Sequence, residues 1–67
     1  MTLKEFADLC MGDYLPAKVK DRDSNIIVSV DRLKDIKNLN IANCDVLMFN
    51  AYYDCVDGIY WLIIVRK

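Results

Sequence analysis

The sequence contains no histidine, and this absence restricts the chemistry that it can support. Histidine is the commonest metal ligand and the usual general base near neutral pH, so most catalytic triads and zinc sites are excluded. The three cysteines, Cys10, Cys44 and Cys55, are widely spaced and form no C-x-x-C pair. We therefore expect reduced thiols packed as small apolar side chains, and no catalytic residue, cofactor or metal.

An excess of charge of either sign is also missing, because nine basic and ten acidic residues leave a net charge of -1. Nucleic-acid-binding proteins need a basic patch, and this balanced composition does not indicate one. The longest apolar run, residues 59–65, is far shorter than the roughly 20 residues that span a bilayer. Met1 leads into a polar segment and not into a signal peptide. We expect a soluble protein of the cytoplasm with no membrane partner.

Apolar residues, by contrast, are abundant, at 55% of the 67 residues. We expect one small α+β domain over residues 1–67. A domain of this size buries only about 60% of its unfolded surface, so its core is marginal. Much of the apolar surface must therefore pack inside or against another molecule.

The first segment has the pattern of a short amphipathic helix. Thr2 and Glu5 have the spacing of a capping box. Gly12 is expected to end the helix by taking a left-handed conformation. The apolar stripe consists of Leu3, Phe6, Leu9 and Cys10.

Two strand patterns follow, at residues 17–20 and 26–30, with polar turn residues between them. We expect them to form a hairpin in which Lys18 and Lys20 protect an exposed edge. Asp31 is then expected to cap a short helical turn whose Leu33 and Ile36 face inward.

Residues 45–67 read as a second hairpin, closed by Asp57 and Gly58. The predicted fold class is therefore α+β: one N-terminal helix packed on a four-stranded antiparallel sheet, with a short second helix between two hairpins. How the two hairpins pair with each other does not follow from the sequence.

The second hairpin is apolar on both faces, which is unusual for an antiparallel sheet with one face in water. Strict alternation places Val46 with Met48 on one face and Leu47 with Phe49 on the other. A second cover is therefore expected: the short helix, a second copy of the chain, or a different protein. The candidate partner-binding residues are Tyr52, Tyr53, Tyr60, Leu62 and Ile64.

Acidic residues in the two hairpin turns resemble a metal site and a catalytic site only superficially. Asp21, Asp23 and Asn25 have the spacing that opens a calcium loop, but the glycine and glutamate that the motif requires are missing. Asp54 and Asp57 flank a tight turn, where a catalytic carboxylate pair would have no cleft. We interpret both groups as turn residues.

The opening Thr2-Leu3-Lys4-Glu5-Phe6, followed by an αββ pattern over the first thirty residues, resembles small proteins of phages and prophages. Such proteins often begin with a "T-[LV]-x-E-[LF]" helix and continue into a small sheet. They include anti-CRISPR proteins and other inhibitors that block host defence complexes by occupying a surface. The near-neutral charge differs from that of their acidic, DNA-mimicking members.

Three hypotheses follow from these patterns. The leading one is a non-enzymatic protein-binding module of a phage or mobile element, acting as a stoichiometric inhibitor of a host defence complex. The alternative is a homo-oligomeric structural or accessory protein, such as a homodimer, that buries its apolar face against its own copy. The third, a nucleic-acid-binding module that stacks bases on the strand aromatics, is disfavoured because the few lysines and arginines nearby are balanced by acids.

Overall fold

A computed structural model describes residues 1–66 of the chain; Lys67, the last residue of the predicted second hairpin, lies outside the described residues. The structure confirms an α+β fold with a short helix and four strands. In chain order, the elements are helix α1 (Leu3–Leu9), strands β1 (Ala17–Lys20) and β2 (Ile26–Val30), two 3₁₀ helices (Leu33–Asn38 and Asn40–Asn43), and strands β3 (Asp45–Asp54) and β4 (Gly58–Arg66).

The four strands form one mixed sheet in the order β2-β1-β4-β3. Both hairpins are antiparallel, but β1 and β4 pair in parallel, with Ala17 beside Trp61 and Val19 beside Ile63. The prediction of a purely antiparallel sheet is therefore wrong. The two strands with fully buried residues take the centre, since only there can a residue be covered by neighbours on both sides. The expectation that the β1 lysines protect an edge is also wrong, because the edges are β2 and β3.

Helix α1 begins with the predicted capping box. The Glu5 N–H donates to Thr2 Oγ1 at 3.2 Å, and the Thr2 N–H donates to Glu5 Oε1 at 3.0 Å. The helix ends at Leu9, and Gly12 does not adopt the expected positive φ. Gly12 instead permits a close approach: its carbonyl accepts the Trp61 indole N–H at 3.0 Å, and a Cβ at Gly12 would lie 3.2 Å from Trp61 Nε1.

The core lies between the helices and one face of the sheet. Leu33 and Ile36 are buried there, as predicted, but they belong to the first of two 3₁₀ helices, and the residue preceding that helix is Arg32, not the predicted cap Asp31. These helices pack on the same side as α1, so the short helix does not supply a second cover. The buried core consists of Leu3, Phe6, Ala7, Ala17, Val19, Leu33, Ile36, Ile63 and Val65.

A β-bulge in β3 changes which residues share a face. Val46 lies opposite Val65 and Met48 lies opposite Ile64, so Leu47 is the extra residue. Alternation consequently restarts at Met48, and the prediction that Val46 and Met48 share a face is wrong. Phe49 points toward the helices, where its ring centroid lies 4.6 Å from that of Phe6.

Candidate partner-binding face

The sheet has a second face, on the side away from the helices. Its residues alternate along each strand with the core residues, so they point in the opposite direction. No helix of the described chain packs there, and we call this surface the open face. Its central residues are Lys18 and Lys20 of β1, Met48, Asn50 and Tyr52 of β3, and Tyr60, Leu62 and Ile64 of β4.

An apolar stripe on β4 runs through the middle of the open face. The strand register places a lysine of β1 on one side of this stripe and a residue of β3 on the other. The central rows are therefore Lys18-Leu62-Asn50 and Lys20-Ile64-Met48, and the next row pairs Tyr60 with Tyr52. This arrangement surrounds an aliphatic centre with aromatic and polar groups, and an apolar centre with a polar rim is typical of protein interfaces.

The aromatic end of the open face is held in place by local contacts. The rings of Tyr52 and Tyr60 stack with their centroids 6.2 Å apart and an interplanar angle of 28°. Lys18 Nζ lies 4.6 Å from the centroid of the Tyr60 ring and 3.6 Å from Asp57 Oδ2. Because Asp57 offsets the charge of Lys18, this end offers little positive potential to a phosphate chain.

Much of the open face is accessible to a partner. Met48 is 52% exposed and Tyr52 is 43% exposed. Leu62 and Ile64 are half-buried, although they lack a covering layer, because their neighbours in the sheet shield them. A contiguous apolar patch of this kind is typical of an interaction surface.

Four of the five predicted partner-binding residues lie together on the open face: Tyr52, Tyr60, Leu62 and Ile64. Tyr53 lies on the opposite face, beside Ile59, and its side chain is 74% exposed. Sequence reasoning missed Met48 as a member of this surface because no local signal marks the bulge at Leu47. The lysines of β1 were missed because their place beside β4 depends on the parallel pairing.

A hollow of about 250 Å³ opens on the helix face, between α1 and strands β3 and β4. It is lined almost entirely by apolar atoms, and the rings of Phe49 and Trp61 meet in it at a centroid distance of 6.3 Å. The remaining lining residues are Met1, Phe6, Leu9 and Cys10.

The acidic residues of the second hairpin turn have structural partners. Asp54 Oδ1 accepts the backbone N–H groups of Val56 at 2.7 Å and of Asp57 at 3.4 Å. These hydrogen bonds favour the ionised carboxylate and lower the pKa of Asp54 below its ordinary value. With Asp57 paired to Lys18, both carboxylates stabilise the turn and its junction with the open face.

The polar segment between β1 and β2 is likewise a hairpin turn. Asp21 Oδ1 accepts the N–H groups of Asp23 at 2.9 Å and of Asn25 at 3.0 Å, so this carboxylate organises the loop.

All three cysteines are free thiols, and Cys55 is the exposed one. Residues 1–66 hold no group of three or more cysteine, aspartate or glutamate side chains arranged to bind a metal ion.

Comparison of the chain with protein-family models, with curated proteins and with solved structures finds no match. The helices found in residues 1–66 are all too short or too polar to cross a membrane.

Proposed function

We propose that this protein is a non-enzymatic binding module that holds a partner protein on the open face of its sheet. One observation carries the proposal: the open face is apolar along its centre, although every helix within residues 1–66 packs on the other side. An antiparallel pair of strands with one face in water ordinarily places polar residues on that face. Leu62, Ile64 and Met48 break this rule together.

The chemistry of the open face suggests what the partner presents. Tyr60, Leu62 and Ile64 form the anchor, since desolvated aromatic and aliphatic side chains contribute most of the binding energy at interfaces. Lys18 and Lys20 line one side of this stripe. Because Asp57 already pairs with Lys18, a complementary surface has an apolar centre and a carboxylate opposite Lys20.

The finer proposal is that the chain belongs to a phage or mobile element and inhibits a host defence complex by occupying one of its surfaces. It is supported by the opening Thr2-Leu3-Lys4-Glu5-Phe6, which resembles that of small phage proteins, and by the small size of the chain. Inhibition of this kind requires one copy of the chain per binding site and no chemical step. It would take place in the cytoplasm of the infected cell.

The experiment compares Leu62→Ser with Met11→Ser, a matched change at a residue that is 95% exposed and lies outside the open face. Each variant is expressed in bacteria whose CRISPR–Cas system targets an infecting phage, and plaques are counted. We expect the wild type and Met11→Ser to restore plaques. With Leu62→Ser, the number of plaques should be at least tenfold lower than with the wild type. A purified defence complex should co-elute with the wild type and not with Leu62→Ser.

Two results would contradict the proposal at different levels. If Leu62→Ser, confirmed as folded by circular dichroism, protects the phage as well as the wild type does, the open face is not the binding surface. If the wild type restores no plaques against any defence system tested, the inhibitor role fails.

A further inference from the structure

The outer edge of β3 presents backbone groups that have no strand beside them. The Trp61 N–H donates to the Pro16 carbonyl at 2.9 Å, so the backbone N–H and C=O groups of Trp61 point toward β1. The backbone groups of its neighbours Tyr60 and Leu62 therefore point toward β3 and pair with that strand. By the same alternation, the N–H and C=O groups of Phe49, Ala51 and Tyr53 point away from the sheet.

Only the beginning of this edge is covered by the chain itself. The Val46 N–H donates to the Met1 carbonyl at 2.8 Å, and the Leu3 N–H donates to the Cys44 carbonyl at 2.9 Å. Farther along, Asn50 Oδ1 accepts the outward Ala51 N–H at 3.2 Å, which substitutes for a main-chain acceptor. From residue 48 onward, no strand of residues 1–66 lies beside the edge.

The composition of β3 leaves this edge unprotected. Natural sheets shield their edges with short strands, lysines or prolines. Strand β3 is ten residues long and carries no charge and no proline between Asp45 and Asp54. The other edge strand, β2, has only five residues. A long, apolar and uncharged edge is a template for another strand.

We propose that the strand that pairs with this edge is β3 of a second copy, antiparallel and related by a twofold axis at Ala51. This register is the longest one that keeps the second copy clear of Met1 and Leu3, because it uses residues 48–54 only. It pairs the outward groups of Phe49, Ala51 and Tyr53 reciprocally, and the Ala51 N–H exchanges the Asn50 side chain for a main-chain carbonyl. The inference does not depend on the proposed function, because it concerns the edge and not the open face.

The register is self-complementary in its side chains as well. The uncharged Ala51 faces its own copy at the axis, where two like charges would repel each other. Phe49 faces Tyr53 of the second copy on the helix side, twice by symmetry, and aromatic cross-strand pairs of this kind stabilise sheets. Asn50 faces Tyr52 and Met48 faces Asp54, so no like charges stand opposite each other.

This pairing also explains Tyr53, which lies outside the open face and is highly exposed. In the dimer its ring packs on Phe49 of the other copy, at the mouth of the hollow between α1 and strands β3 and β4. The two four-stranded sheets join into one of eight strands, which makes the two open faces continuous. The dimer therefore doubles the proposed binding surface without covering it.

Charged substitutions of Ala51, which lies at the twofold axis, test the proposed register of the two β3 strands. Ala51→Lys and Ala51→Glu each place like charges opposite each other in this pairing, whereas an equimolar mixture places opposite charges there. Sedimentation is measured over a range of concentrations. For the wild type we expect the mass to rise from 7.8 kDa toward twice that value. Each variant alone should stay monomeric, and the mixture should recover the dimer.

Met11→Lys is the control, since it adds the same charge to an exposed residue away from the edge. It should dimerise as the wild type does, and so should Leu62→Ser, which alters only the open face. Amide exchange at Phe49 and Tyr53 should slow as the wild-type concentration rises. A wild type that stays monomeric up to about millimolar concentration overturns the proposal, and so do Ala51 variants that dimerise individually.

Discussion

Adjacent residues on opposite faces of β4 provide the sharpest test of the fold. Ile63 is fully buried, between Val19 of β1 and Phe49 of β3, whereas Leu62 points to the open face and is half-buried. Ile63→Ala should lower the free energy of unfolding by about 2–5 kcal/mol, because a cavity remains in the core. Leu62→Ala should cost only about 1 kcal/mol, because part of its surface is already in water and no enclosed cavity forms.

These costs are large relative to the stability of the whole domain. At about 0.05–0.15 kcal/mol per residue, a chain of 67 residues has roughly 3–10 kcal/mol to lose. Ile63→Ala therefore removes a fifth of that stability or more, and at the lower end of the range it unfolds the protein in buffer. Leu62→Ala leaves the native state dominant.

Urea unfolding, followed by far-ultraviolet circular dichroism, measures both changes. With a slope of about 1 kcal/mol per molar urea, the midpoint should fall by about 2 M or more for Ile63→Ala and by about 1 M for Leu62→Ala. The protein is kept dilute so that association does not contribute to stability. Equal shifts for the two variants, or a larger shift for Leu62→Ala, would show that the core lies on the other face.

Two further predictions concern local structure. The capping box lowers the pKa of Glu5 through hydrogen bonds with Thr2, so the ionised carboxylate stabilises the folded state. This stabilisation is fully present above the ordinary pKa of 4.5 and is lost as the pH falls through the lower pKa of the folded state. The difference in unfolding free energy between the wild type and Glu5→Gln should therefore shrink on acidification, and a difference independent of pH would contradict this account. Ser24 has a φ of 69°, which asparagine tolerates better than serine. Ser24→Asn should raise the melting temperature by about 2–4 °C and Ser24→Val should lower it; equal melting temperatures would count against strain at this position.

Local features of the fold were predictable from the sequence because they depend on neighbouring residues. The capping box of Thr2 and Glu5 is formed entirely within the first turn of α1. Leu33 and Ile36 are three residues apart, so they face inward whether the helix is α or 3₁₀. The strand segments 17–20 and 26–30 also follow from alternation and from the turn residues between them.

The pairing of the hairpins could not be predicted, because it depends on contacts that are distant in sequence. Nothing near Val19 indicates that its neighbour is Ile63 or that the two strands run parallel. The helix ending was misjudged for a related reason. Gly12 is needed by Trp61, on the last strand, and not by the backbone of α1.

The bulge at Leu47 has the widest consequences of the features that the sequence did not indicate. By inserting one residue between Val46 and Met48, it turns Phe49 toward Phe6 and turns Met48 toward the open face beside Ile64. The N-terminal stretch covers the edge of β3 up to the bulge, and the edge is open after it. The same insertion therefore separates the anchored part of β3 from its open part and determines which apolar residues each face presents. If Leu47 instead took its place in a regular alternation, the residues from Met48 onward would exchange faces, and the apolar surface available for binding would be a different one.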